Sequence, residues 1–113
     1  MKQMPFANAE YVSKRKQTWR ERFLIEMDQV VRWKGLIALI EPYYRKGEGG
    51  SPEYSLMTML RVHLMQNWFG YGDPMMEEAL YETTILRQFS RLLLDQIPDE
   101  TTILNFHRLL ENH

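Results

Sequence analysis

Residues 55–69, SLMTMLRVHLMQNWF, are the stretch that decides the fold. Apolar side chains lie almost all the way round a helix of this sequence, which is typical of a helix buried on every side. Ser55 has the side chain of an N-cap, and the glycines at 70 and 72 break the helix after Phe69. The stretch therefore predicts a central helix with other helices packed around it.

Amphipathic segments on both sides supply those neighbours. Apolar residues recur at three- and four-residue spacing, and no segment alternates as a strand does. Pro42 is expected to end the second helix before a loop over residues 43–54, and Asp73 and Asp99 are expected to cap the fourth and the last helix. The predicted fold class is all-α, a compact bundle of about six helices with a helix-turn-helix-like C-terminal part. The predicted helices cover residues 13–31, 33–40, 56–69, 73–82, 84–93 and 99–113. Because three bases in a first turn oppose the helix dipole, a start of the first helix nearer Thr18 is the alternative.

The composition indicates one domain without disulfides. A chain of 113 residues can form one modest core, which we place in residues 13–113 behind an irregular arm at residues 1–12. The absence of cysteine excludes a disulfide framework and a thiolate zinc site, and it favours a reducing compartment. No apolar run approaches the roughly 20 residues that span a bilayer, and the N-terminus lacks the apolar stretch of a secretory signal. We therefore expect neither membrane insertion nor secretion.

Charge is distributed unevenly along the chain. The net charge of −1 argues against a general nucleic-acid binder, but residues 1–22 carry six basic and two acidic side chains, and residues 23–113 carry eight and thirteen. A basic leading segment fits phosphates or an acidic partner, and a solvated helix start explains the same charges equally well. Trp19, in the predicted helix over residues 13–31, is expected to anchor that helix. The candidates for contact with a DNA backbone are Lys14, Arg15, Lys16 and Arg20.

The last predicted helix has a polar front and an apolar back. Asp99 is placed to accept hydrogen bonds from the first free backbone N–H groups, those of Thr101 and Thr102. The side chains expected to face the bundle are Ile103, Phe106, Leu109 and Leu110, and those expected to face a DNA groove are Thr101, Thr102, Asn105 and Arg108. Asn can pair with adenine, and Arg with guanine or phosphate. By pattern alone, an ordinary amphipathic helix with a solvent-exposed polar face explains these residues better than DNA binding does.

The sequence offers no catalytic constellation. His63, His107 and His113 do not have metal-ligand spacing, and we interpret His63 as a hydrogen-bonded core or interface residue. The acidic residues at 77, 78 and 82 are interpreted as a solvated edge. No nucleophile elbow and no phosphate-cradling glycine loop is present. We therefore predict no catalytic and no metal-binding residues, and we interpret the eight methionines mainly as core.

Five ordered blocks carry a family resemblance. They are Phe6 with residues 11–18 (YVSKRKQT), residues 40–44 (IEPYY), residues 57–69, residues 73–82 (DPMMEEALYE) and residues 98–111 (PDETTILNFHRLLE). In these blocks the chain resembles the N-terminal region of bacterial insertion-sequence transposases of the InsH-like group, over nearly its whole length. Two stretches depart from that pattern: the loop at residues 49–54 lacks bases, and residues 106–108 read Phe-His-Arg where relatives often have Arg before His.

The resemblance implies a role in DNA transposition. In such proteins this helical region binds double-stranded DNA at the terminal inverted repeats and helps to assemble the transposase. Strand cleavage and joining belong to a separate ribonuclease-H-like domain with three carboxylates that hold a divalent metal, so no cofactor is expected in this chain. The expected location is the bacterial cytoplasm, at the nucleoid.

A second interpretation is a truncated fragment that acts as a dimerisation or inhibitory module. Its partners would be a second copy of the chain or a full-length transposase. The strong helical pattern continues to His113 without a terminator, which is why the fragment interpretation stays open. A decayed fragment without a selected role is the third possibility.

Overall fold

The protein is described by a computed structural model that covers residues 19–47 and 53–112. The described part of the first helix, α1, spans residues 19–30. The elements that follow are α2 (Trp33–Gly47), α3 (Leu56–Phe69), α4 (Asp73–Glu82), α5 (Thr84–Ser90), a 3-10 turn (Leu94–Gln96) and α6 (Glu100–Glu111). Neither described range contains a strand, so the predicted all-α class is confirmed.

The chain forms two compact units, one that ends at Val31 and one that begins at Arg32. The first unit contains α1, on which Leu24 is buried. The prediction that Trp19 anchors this helix is wrong, because the side chain is 72% exposed and stacks on Phe23 with ring centroids 6.4 Å apart. Over the ranges that the structure describes, no helix is both long enough and apolar enough to span a bilayer.

In the second unit, α3 lies at the centre, as predicted. It packs against α2, α4, α5 and α6, and its buried side chains include Met59, Leu60, Val62 and Met65. The residues of α3 that face α2 and α6 join a cluster that also contains Tyr44 and Phe106. Methionines at 59, 65 and 76 are at most 2% exposed, which confirms their interpretation as core, whereas for Met75, which is 53% exposed, that interpretation is wrong.

Helix ends follow the local sequence in most places. Ser55 caps α3 by accepting a hydrogen bond of 3.1 Å from the Thr58 N–H. The prediction that Asp73 caps α4 is wrong by one residue, because Gly72 is the N-cap and Asp73 is the first helical residue. The Asp73 carboxylate is instead held by Nε2 of Gln66 at 2.9 Å. A side chain on the preceding helix α3 therefore replaces the local capping bond.

The expected end of α2 at Pro42 is also wrong. The helix continues through Pro42 to Gly47, into part of the predicted loop. Tyr44, in the turn after the proline, is 5% exposed, packs edge-on against Phe106 at 5.8 Å, and donates a hydrogen bond to the carbonyl of Tyr54. These tertiary contacts hold the last turn in place although an interior proline destabilises a helix.

Helix α5 is shorter than the predicted 84–93. Thr83 is its N-cap without a side-chain bond, and the helix ends at Ser90 because Arg91 adopts a left-handed conformation. Gly70 ends α3 in the same way. The φ angles are 65° for Arg91 and 72° for Gly70. Helix α3 therefore ends at a glycine, which favours the left-handed conformation, whereas α5 ends at an arginine, which does not.

These two helix ends lead to a paired prediction with opposite signs. Because a Cβ strains the left-handed conformation, we expect Gly70→Ala to lower the free energy of unfolding by about 1–2 kcal/mol. We expect Arg91→Gly to raise it by about 0.5 kcal/mol, since the gain is partly offset by the entropy of the unfolded glycine. Urea denaturation of both variants measures the effect. Two changes of the same sign would contradict the prediction.

Candidate nucleic-acid interface

The start of α6 is capped as predicted. Asp99 is the N-cap, and its Oδ1 accepts a hydrogen bond of 2.8 Å from the Thr102 N–H. A second backbone N–H, that of Glu100, donates to Oε1 of Glu77 on α4 at 2.8 Å. Carboxylates from two helices therefore satisfy backbone groups that α6 would otherwise leave free at its first turn.

This arrangement makes the front of α6 anionic. The hydrogen bond from the Thr102 N–H holds the pKa of Asp99 below its usual range, so this carboxylate is ionised at neutral pH. The Glu77 carboxylate binds the N–H of the residue after Asp99, Glu100, which adds an acidic side chain to the first turn. A helix N-terminus can bind phosphate when its N–H groups are free, but here the carboxylates of Asp99 and Glu77 already accept hydrogen bonds from two of them. Phosphate contact at this end of α6 is therefore disfavoured.

Three of the four predicted groove-facing residues share one exposed face of α6. Thr101, Asn105 and Arg108 are exposed and are spaced by four and three residues, which places them on one side of a helix. Thr102 is half-buried. The opposite side is buried, with Ile103 at 2% and Phe106 at 4% exposure. The helix thus has the polar front and the apolar back that its sequence indicates.

The predicted backbone-contact residues belong to the other end of the chain. Arg20 lies on α1, is half-buried and makes interactions within the chain. Lys14, Arg15 and Lys16 lie outside the described residues. The structure therefore brings together the candidate residues of α6, and the basic segment stays a prediction.

Helices α4, α5 and α6 are the three helices of the predicted helix-turn-helix-like part. Helix α6 packs on α4, α3 and α2, while α5 packs on α3 and α4. A single residue, Thr83, joins α4 to α5, and residues 91–99 join α5 to α6. That second connection is longer than the turn of three or four residues in a helix-turn-helix. The tight turn of a helix-turn-helix is therefore absent between α5 and α6, and the helix-turn-helix character of this part stays a prediction.

Sequence reasoning missed a polar cluster beside this face. The rings of His63 on α3 and His107 on α6 meet edge-on, with centroids 5.3 Å apart, and Nδ1 of His107 lies 4.0 Å from Oδ1 of Asp73. Gln66 holds the same carboxylate. Residues 63, 66, 73 and 107 are too far apart in sequence for any spacing to signal their contact, so only the packing of α3, α4 and α6 reveals the cluster.

One histidine of the cluster has a lowered pKa. Burial lowers the pKa of His63, the neighbouring His107 lowers it further, and Asp73 opposes both effects. Among the described residues, no hydrogen-bond partner reaches the buried Nδ1 of His63. Its interpretation as a hydrogen-bonded histidine therefore holds only for Nε2, which lies 3.4 Å from Nδ2 of Asn67.

Within residues 19–47 and 53–112, no group of three or more His, Asp or Glu side chains has the arrangement of a metal site.

Comparison with known proteins gives one family match. The family described as "Transposase domain (DUF772)" matches residues 11–109, a span that includes α1 to α5 and most of α6. No solved structure shows a significant match to the chain. The match agrees with the resemblance found in the sequence blocks.

Proposed function

The chain belongs to the transposase-domain family, and from this premise we propose that it binds double-stranded DNA at the terminal inverted repeats of an insertion sequence. In this proposal α6 enters the major groove, whose width of about 12 Å admits a helix. The location that follows is the bacterial cytoplasm, at the nucleoid. The proposal assigns no strand cleavage or joining to these 113 residues.

The observation that carries the proposal is the exposed face of Thr101, Asn105 and Arg108 over a buried back. An amide can bond adenine through two atoms, and a guanidinium can bond guanine in the same way. Both side chains are exposed on a helix that is held rigidly by Ile103 and Phe106. This arrangement supports reading of base edges by the middle and the end of α6.

The charges favour base contacts by α6 and phosphate contacts by the basic segment, residues 14–20. The carboxylates of Glu77 and Asp99 lie at the start of α6, and they repel phosphates there. Most of the affinity for DNA comes from phosphate neutralisation. We therefore assign the backbone contacts to residues 14–20 and base discrimination to Asn105 and Arg108.

A gel-shift assay on the repeat ends that flank the gene tests this assignment. We expect Asn105→Ala and Arg108→Ala each to weaken binding to the repeat by roughly 10- to 100-fold, because one base contact is worth about 1–3 kcal/mol. Binding to a scrambled duplex should stay nearly unchanged for both variants. Gln88→Ala is the control, since it removes an exposed amide from α5.

The basic segment should behave differently in the same assay. Replacing Lys14, Arg15 and Lys16 by Ala should weaken binding to both duplexes and reduce the slope of log affinity against log salt by up to about 2.7, or 0.9 for each phosphate contact. Unchanged affinity for repeat DNA in all of these variants would refute the assignment of the site.

A further inference from the structure

Helix α2 is apolar on two sides. One side packs on the core of the second unit through Trp33, Leu36, Ile37 and Ile40 with the buried Tyr44. The other side is exposed and carries no charge along its centre. Its residues recur at the spacing of one helix face, and we call them the α2 strip: Gly35, Ala38, Leu39, Pro42 and Tyr43.

The α2 strip has features that the chain itself does not explain. Leu39 is 70% and Tyr43 is 43% exposed. A Cβ built at Gly35 meets nothing within 4 Å, so crowding by described residues does not require a glycine there. Glycine and proline both lower helix stability, and this helix carries one of each on its exposed face. A helix that is apolar on both sides is expected to be covered on both.

An apolar groove adjoins the strip. It lies between α2 and α6, has a volume of about 320 Å³, and is lined by Leu39, Ile40, Tyr43, Leu109 and Leu110. Leu39 thus protrudes directly beside a groove that suits an aliphatic side chain. A surface with a protruding group next to a matching groove can pair with itself across a two-fold axis.

We propose that the α2 strip and this groove dock a second copy of the chain, with the two α2 helices antiparallel across a two-fold axis. The charges beside the strip favour this occupant. Lys34 and Glu41 are exposed, carry opposite charges and are seven residues apart, so they share one edge of α2. Glu41 also makes an interaction within its own chain.

The sign of these two charges selects the antiparallel orientation. In an antiparallel pair, the edge that carries Lys34 and Glu41 faces the same edge of the second copy, so Lys34 of each copy can approach Glu41 of the other. A parallel two-fold pair would place these edges on opposite sides of the interface and leave the charges unmatched. A slide of two residues from the register that pairs these charges, about 3 Å along the axis, which the long charged side chains still span, places Gly35 opposite Pro42 and allows close approach. It also places the two Leu39 side chains near the axis, beside the grooves. This inference does not depend on DNA binding.

Sedimentation equilibrium of the whole chain tests the proposal. A pair of short helices buries less surface than an obligate dimer, so we expect a reversible dimer with a dissociation constant on the order of micromolar. Leu39→Glu should weaken it by roughly tenfold or more, because a carboxylate is placed in the apolar centre. Leu93→Glu is the matched control, since Leu93 is 65% exposed and lies outside the strip. A wild-type chain that stays monomeric at a protein concentration about a hundred times the expected dissociation constant would overturn the proposal. Equal weakening of the dimer by Leu39→Glu and Leu93→Glu would also overturn it.

The orientation can be tested by cross-linking, because the chain contains no cysteine. Under mild oxidation, Leu39→Cys should form a disulfide dimer, and a mixture of Gly35→Cys and Pro42→Cys chains should form a mixed one. A disulfide requires Cα atoms about 4.4–6.8 Å apart, so Gly35→Cys alone should not cross-link. Efficient cross-linking of Gly35→Cys with itself would show a parallel pair and contradict the proposed geometry.

Discussion

Phe106→Ala is expected to lower the free energy of unfolding by about 3–5 kcal/mol, the usual cost of removing a buried aromatic side chain from a packed core. Phe106 is 4% exposed and contacts two rings edge-on, those of Tyr44 at 5.8 Å and His63 at 6.1 Å. It joins α6 to the cluster formed by α2 and α3. Small domains have a total stability of about 5–15 kcal/mol, so this single change should remove a large part of it.

The neighbouring residue supplies the control for this prediction. Asn105 is exposed on the opposite face of α6, and Asn105→Ala should change stability by no more than about 0.5 kcal/mol. Urea denaturation monitored by circular dichroism measures both variants. If Phe106→Ala lost less than about 1 kcal/mol, the packing of α6 on the core would be different from that described. The pair also separates loss of DNA binding from loss of fold.

Arg61→Ala is expected to have the next largest effect, a loss of about 3 kcal/mol, because it removes a buried charged group together with its packing. Arg61 is 4% exposed, and its guanidinium lies 4.2 Å from the ring centroid of Trp33 and 4.8 Å from that of Phe89. Its Nη1 also donates a hydrogen bond of 3.2 Å to the Phe89 carbonyl. This one side chain therefore links α2, α3 and α5.

Two further substitutions test the reason given for that loss. Arg61→Lys keeps the charge but not the planar group that lies against both rings, so we expect an intermediate loss of about 1–2 kcal/mol. Arg108→Ala removes an exposed guanidinium and should leave stability within about 0.5 kcal/mol. Chemical denaturation of the three variants gives the order. Equal stabilities of Arg61→Lys and the wild type would show that charge alone matters.

The candidate site was predictable where it depends on neighbours along the chain. The cap at Asp99 and the outward face of Asn105 and Arg108 follow from spacing within a single helix. For the Glu77 carboxylate at the front of α6, the sequence pattern predicts only a solvated side chain, because its partner is the N–H of Glu100, 23 positions later. The missed carboxylate makes the start of α6 more anionic, which adds a physical reason to place the phosphate contacts in residues 14–20.

By itself, the sequence determined the elements and the faces that rely on local interactions. The buried α3, its cap at Ser55 and its end at Gly70 depend on side chains a few residues away, so periodicity and residue type suffice to predict them. Only the tertiary structure decided that α2 continues through Pro42 and that Arg61 lies between two aromatic rings. Those outcomes depend on contacts between distant residues, whose energies exceed local preferences and leave no mark on spacing along the chain.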